Sequence, residues 1–230
     1  MIILGIDITG NRLSVALTDQ NSLLGEININ AGKKHSITLL QAVDDLLRLT
    51  GKEAGQVDVF ACANGPGSFT GIRIGVNTVS AMAYAAGKPI ADVNALLALT
   101  KNVQCSGFPI CAMMDARRRE VYALAVLEEQ IIVEEAACPL DELLAELPER
   151  PVVFVGDGAL AYRQEIEKIK TNAVFLKEKD MLQKASSICV LAHEKALQNR
   201  LIDYKELAPH YLRESQAERM RRENIGRTRC

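Results

Sequence analysis

Asn64-Gly65-Pro66-Gly67-Ser68-Phe69-Thr70-Gly71-Ile72-Arg73-Ile74-Gly75 lies between a short apolar run and a long helix of small residues, and its glycines need a geometric reason. A glycine inside regular structure costs roughly 0.5–1 kcal/mol relative to alanine. Upstream, Val57, Val59, Ala61 and Ala63 read as a buried strand; downstream of Thr70 the apolar spacing becomes helical. The stretch is therefore a strand, a tight turn and a helix. A turn of this kind aims backbone N–H groups at one point near a helix start, which suits an anion such as phosphate. Yet no Lys-Ser or Lys-Thr follows, as a P-loop requires, and the spacing is not Gly-x-Gly-x-x-Gly. The other reading is structural: Gly65, Gly67 and Gly71 permit close strand-to-helix packing, and Ser68 or Thr70 caps the helix.

The surrounding chain is that of an ordinary globular protein. Its 230 residues are long enough to bury about 70% or more of the unfolded surface. With 48% hydrophobic and 24% charged residues it is not a disordered chain, and no apolar run approaches the roughly 20 residues needed to span a bilayer. The opening Met1-Ile2-Ile3-Leu4-Gly5-Ile6-Asp7 lacks a basic region and meets an acid early, so a cytoplasmic protein is expected, with no membrane partner. A formal charge of −2 does not suggest a stand-alone nucleic-acid binder. The six cysteines form no C-x-x-C pair and the three histidines no H-x-x-x-H, so no metal site is assigned.

Taken in order, residues 2–8, 13–18 and a run after Asn21 read as a three-strand antiparallel meander, with Asp7 at the end of the first strand. Asp7 there either holds a metal-bound water near a phosphate or caps the Thr9-Gly10 turn. Residues 35–50 read as an amphipathic helix with Leu39, Leu40, Val43, Leu46 and Leu47 on one face, ended by Gly51. The helix from Gly71 to Ala86 has only Arg73, Asn77, Ser80 and Tyr84 as a polar stripe. Its remaining arc is too wide for one sheet to cover. Ile72, Val76, Val79 and Ala83 suit the sheet; Ile74, Thr78, Ala81 and Ala85 need a second cover, from within the chain or from a partner.

Near residue 105 the chain begins again. Residues 109–115 end in Asp115, residues 120–127 and 130–134 follow as strands, and Val152-Val153-Phe154-Val155-Gly156-Asp157-Gly158 repeats strand, glycine turn and helix. Two half-sized copies are implied: an N-terminal domain at 1–105, a smaller C-terminal domain at 106–213, and a mobile basic tail at 214–230. The second copy differs chemically, because Arg117, Arg118 and Arg119 stand where the first has Thr9 and Gly10. A helix is expected over 181–199.

Two meanders, each followed by alternating helices and strands, resemble the actin, hexokinase and Hsp70 (ASKHA) ATPase architecture: an α/β fold of two actin-like subdomains, each a mixed sheet with flanking helices. Residues 64–75 narrow the likeness to the TsaB (YeaZ) family, and Asp115-Ala-Arg-Arg-Arg-Glu-Val-Tyr122, Gly156-Asp-Gly-Ala159 and Pro209-His-Tyr-Leu-Arg213 are similar to further landmarks of that family. Asp7-Ile8-Thr9-Gly10 departs from the family's Asp-Thr-Ser-Thr-like opening. The resemblance implies a non-catalytic subunit that activates the TsaD-type paralogue, which forms threonylcarbamoyladenosine in tRNAs reading codons that begin with A. It further implies a TsaE-type ATPase as partner, a homodimer when alone, and tRNA met only through the complex. The paralogue would dock on Leu39, Val43 and Leu46 of the first helix and on Ile74, Thr78, Ala81 and Ala85 of the second, beside a structural loop of Gly65, Gly67, Ser68, Thr70 and Gly71. No catalytic, metal or cofactor residue is expected. The competing reading is an ATP-dependent kinase or acyl transferase using Asp7 and the glycine loop.

Overall fold

A computed structural model describes residues 1–20, 22–30, 35–103 and 107–213. The proposed boundary at Cys105 and the basic tail lie outside them.

The first copy runs β1 (Ile2–Asp7), β2 (Leu13–Asp19), β3 (Ser22–Ile29), α1 (His35–Thr50), β4 (Val59–Gly65), α2 (Phe69–Ala86), β5 (Ile90–Asn94) and α3 (Ala95–Thr100). The second runs β6 (Ile110–Asp115), β7 (Glu120–Leu127), β8 (Gln130–Pro139), α4 (Leu140–Glu146), β9 (Val152–Val155), α5 (Asp157–Ala161), α6 (Arg163–Ile169) and β10 (Ala173–Phe175), followed by α7 (Glu178–Met181) and α8 (Ala185–Leu197). The sheets are ordered β3-β2-β1-β4-β5 and β10-β9-β6-β7-β8. Read from the meander outward, the second order matches the first strand for strand. β1 pairs antiparallel with β2 and parallel with β4; β6 does the same with β7 and β9. The central strands β1 and β6 are covered on both faces, which is why Ile3, Leu4 and Ile6 are all fully buried and the run does not alternate.

Three cores result, and they make five layers. α1 and α2 pack on the outer face of the first sheet around Leu4, Ile6, Phe60 and Val79. A middle core joins the inner faces of both sheets through α3 and α8. Helices α4, α5 and α6 cover the outer face of the second sheet around Phe154 and Ile166.

Three expectations need correction. The helix expected over 181–199 is α8, which starts only at Ala185 and ends at Leu197, Met181 instead closing the short α7. α8 does not belong with the second copy, although it follows it in sequence: it packs on β1 and β2, the Ala185 amide donates to Ser14 Oγ at 2.7 Å, and Ile188, Cys189 and Ala192 share the middle core with Ile3 and Ala16. Finally, Leu39, Val43 and Leu46 are the core-facing residues of α1, buried against the first sheet, and offer nothing to a partner. The side of α1 that meets solvent carries Ile37 and Leu40, 80% and 58% exposed, with Gln41, Asp44 and Arg48.

This assignment is checked by urea unfolding. Leu39→Ala leaves a cavity in the outer core and is expected to cost about 2–5 kcal/mol. Leu40→Ala, one residue away but exposed, is expected to stay within about 0.5 kcal/mol of wild type.

Candidate functional site

The glycine loop is held from two sides by backbone. The Ser68 amide donates to Thr9 O at 2.6 Å, and a Cβ on Gly67, whose φ is +148°, would collide with that same oxygen. Gly65, with φ +135°, faces the carbonyl of His210, whose amide donates to Asn64 O at 2.7 Å. Ser68 is the N-cap of α2, its Oγ accepting from the Gly71 amide at 3.3 Å, while Thr70 is exposed and does not cap. The amides of Ser68 and Gly71 are therefore engaged inside the chain. The loop is closely packed against backbone, and Gly87 in a left-handed conformation closes the other end of the helix.

A cleft of about 340 Å³ opens between the lobes where the two first turns face each other. On one wall are Thr9, Gly10, Gly67 and Ser68; on the other are Asp115, Arg117, Tyr122 and Asp157. Asp7 lies beneath the first wall. Its Oδ1 accepts from the Thr9 amide and hydroxyl at 2.9 and 2.6 Å, so it caps the turn. Burial raises its pKa against those two hydrogen bonds, and Oδ2 has no hydrogen-bond partner. In the second lobe Asp115 Oδ1 accepts from the Arg117 amide at 2.8 Å and from the Tyr162 hydroxyl at 3.2 Å. Burial, with Asp115 nearby, pushes the Asp157 carboxyl up to about 6. Arg117, Arg118 and Arg119 all have positive φ, a left-handed run that replaces the small Thr9-Gly10 turn with three cations. Among the described residues, no group of three or more His, Cys, Asp or Glu side chains is placed to hold a metal ion. Tyr162 and the tie from Asp157 to Asp115 were not singled out in the sequence, because a strand-end hydrogen bond across 42 residues has no local pattern.

The second candidate surface is the outer arc of α2. Ile72, Val76, Val79 and Ala83 are buried on the sheet. Ile74 and Thr78 are half-buried, and Ala81 and Ala85 are exposed beside Tyr84. Nothing among the described residues of this chain supplies the second cover for Ala81 and Ala85. The apolar surface of α1 at Ile37 and Leu40 belongs to the neighbouring helix.

Comparison with known proteins bears on both surfaces. A protein from Bacillus subtilis described as "tRNA threonylcarbamoyladenosine biosynthesis protein TsaB" is 30% identical over 95% of this chain and 96% of its own length. The chain belongs to the TsaB (YeaZ) family. A TsaB from Haemophilus influenzae is 29% identical over 93% of this chain and 94% of its own. YeaZ from Pseudomonas aeruginosa superposes with a TM-score of 0.79 at 25% identity, covering 92% of this chain and 99% of that one. The family model described as "TsaD: tRNA N6-adenosine threonylcarbamoyltransferase" matches residues 24–220, so TsaB-family chains and the transferases share one actin-like architecture. No helix among the described residues of this TsaB-family chain is long and apolar enough to cross a membrane.

The buried acid gives a pH prediction. Asp157 is held protonated in the fold up to about pH 6, whereas an unfolded aspartate ionises near 4, so its contribution is full below about pH 4 and is lost as pH rises through 6. Asp157→Asn keeps an acceptor for the Asp115 amide. Thermal or urea unfolding is expected to find the variant stabilised by about 2–3 kcal/mol at pH 7.5 relative to its effect at pH 4.

Proposed function

We propose that this chain acts in the formation of threonylcarbamoyladenosine in tRNA, as a non-catalytic subunit that binds and activates a larger TsaD-type threonylcarbamoyltransferase through the exposed side of α1 and α2. The observation that carries this reading is the outer arc of α2, where Ala81 and Ala85 are exposed and Ile74 and Thr78 half-buried on an 18-residue helix already anchored by its other side. Small residues in this arrangement let a second helix approach closely. A paralogue of the same architecture presents helices in corresponding places, which favours it over an unrelated occupant. In isolation the same face pairs with a second copy of the chain. A TsaE-type ATPase joins the complex, and tRNA reaches this subunit only within it.

Two features favour a non-catalytic role. The glycine turn is closed by the carbonyls of Ile8 and Thr9 packed against Gly71 and Gly67, and the second turn is built from three arginines. The kinase or acyl-transferase alternative draws on the unpartnered Asp7 Oδ2 and makes a distinct demand: heat on titrating the chain with ATP and magnesium. We expect none at millimolar nucleotide.

The reading is tested by Ala81→Arg, which places a long cation in the small-residue arc. Light scattering with the paralogue is expected to show at least a tenfold loss of affinity, while circular dichroism shows an unchanged fold. Depleting the chain from its cell is expected to remove threonylcarbamoyladenosine from bulk tRNA, measured by nucleoside mass spectrometry. Wild type and Asp7→Ala restore it; Ala81→Arg does not.

A further inference from the structure

The segment after α8 runs back along the partner-facing helix and then crosses to the other lobe. Ile202 and Ile90 exchange backbone hydrogen bonds of 2.8 and 2.9 Å at the start of β5, and Leu207 is buried in the outer core. The Tyr204 ring lies 4.9 Å from Tyr84, near the end of α2. Seven residues later the Tyr211 ring stacks on Phe69 at 4.5 Å and its hydroxyl accepts from Arg73 Nε at 3.0 Å, at the start of α2. Residues 204–211 therefore lie antiparallel to α2 along its polar stripe, and Arg73, Tyr84 and Tyr211 are all exposed there.

The same few residues fasten to the second lobe. His210 Nε2 lies 2.8 Å from Glu135 Oε1 on β8. Glu135 Oε2 accepts from Asn94 Nδ2 at 2.6 Å, and Asn94 Oδ1 caps α3. Arg213 pairs with Glu120 and donates to Ala116 O at 3.3 Å, at the turn that walls the cleft. On the first lobe, Asn64 Nδ2 donates to Ala208 O at 3.2 Å and the His210 carbonyl fills the place that Gly65 leaves free of a side chain.

We propose that residues 204–213 are a latch that couples the docking face on α2 to the second lobe, so that the TsaD-type paralogue binds a composite surface of α2, Tyr204 and Tyr211, and binds it tightly only while the latch is seated on Glu135 and Glu120. This rests on the docking reading given above. Each ion pair is partly exposed and weak by itself. What couples the two sites is that one short segment is shared: its aromatic rings form the edge of the docking face, and its polar ends hold the second lobe. Loosening the far end frees the near end. Couplings of this kind typically change affinity 5- to 150-fold.

The test is the double variant Glu135→Ala, Arg213→Ala, which alters no residue of α2. In the free chain, hydrogen exchange at residues 208–211 is expected to quicken at least tenfold, with β1 and β4 unchanged. Calorimetric titration with the paralogue is expected to show about a tenfold weaker complex. Faster exchange with affinity within twofold of wild type would overturn the coupling, and unchanged exchange would overturn the latch. His210→Ala gives an independent variant if the double one fails to fold. Ala81→Arg separates the two readings. Should it leave affinity intact, the docking face is misplaced; should it abolish binding while the latch variants do not, the docking face stands and the coupling is wrong.

Discussion

The fold depends on backbone meeting backbone where no side chain fits. The carbonyls of Ile8, Thr9 and His210 stand where Gly71, Gly67 and Gly65 would carry a Cβ. Three distant segments are thereby brought to one place: the end of the central strand, the start of α2 and the C-terminal latch. The second copy uses the same device, with the carbonyl of Met113 against Gly156 and the backbone of Met114 against Gly158. In both halves a glycine turn lets a helix start directly over the end of the middle strand. The duplicated feature is the packing of strand, turn and helix. The residues around it have diverged.

That divergence separates scaffold from chemistry. In the first lobe Asp7 is fully engaged on one oxygen by the Thr9 turn; in the second, Asp115 is engaged by Arg117 and Tyr162, and Asp157 carries the perturbed carboxyl. The helix after the glycine turn is one continuous element in the first lobe and is split into α5 and α6 in the second. Among the described residues, the long helix with an exposed small-residue arc therefore belongs to the first lobe. The middle core, with α3 and α8 between the sheets, joins the two lobes.

Local patterns in the sequence were informative wherever a residue's role depends on near neighbours. The meander, the 16-residue helix at His35–Thr50, a cap at Ser68 or Thr70 and the division of α2 into sheet-facing and outward residues all follow from periodicity and turn chemistry. The repeat was visible because its halves use the same order of elements. Less legible was which side of α1 is buried. Leu39 and Leu40 are adjacent and equally apolar, yet one is in the core and the other 58% exposed. A helix with apolar residues on a wide arc does not state where the sheet lies.

The sequence by itself determined the two-copy α/β architecture, the glycine turn and the family, because these rest on spacing and on residues with special backbone freedom. Only the tertiary structure decided that α8 returns to the first sheet, that Asp157 approaches Asp115, and that residues 204–213 lie along α2 and fasten to Glu135 and Glu120. Those contacts join positions 42 to 171 residues apart and are selected by shape and burial in the assembled layers, which no local run of residues encodes.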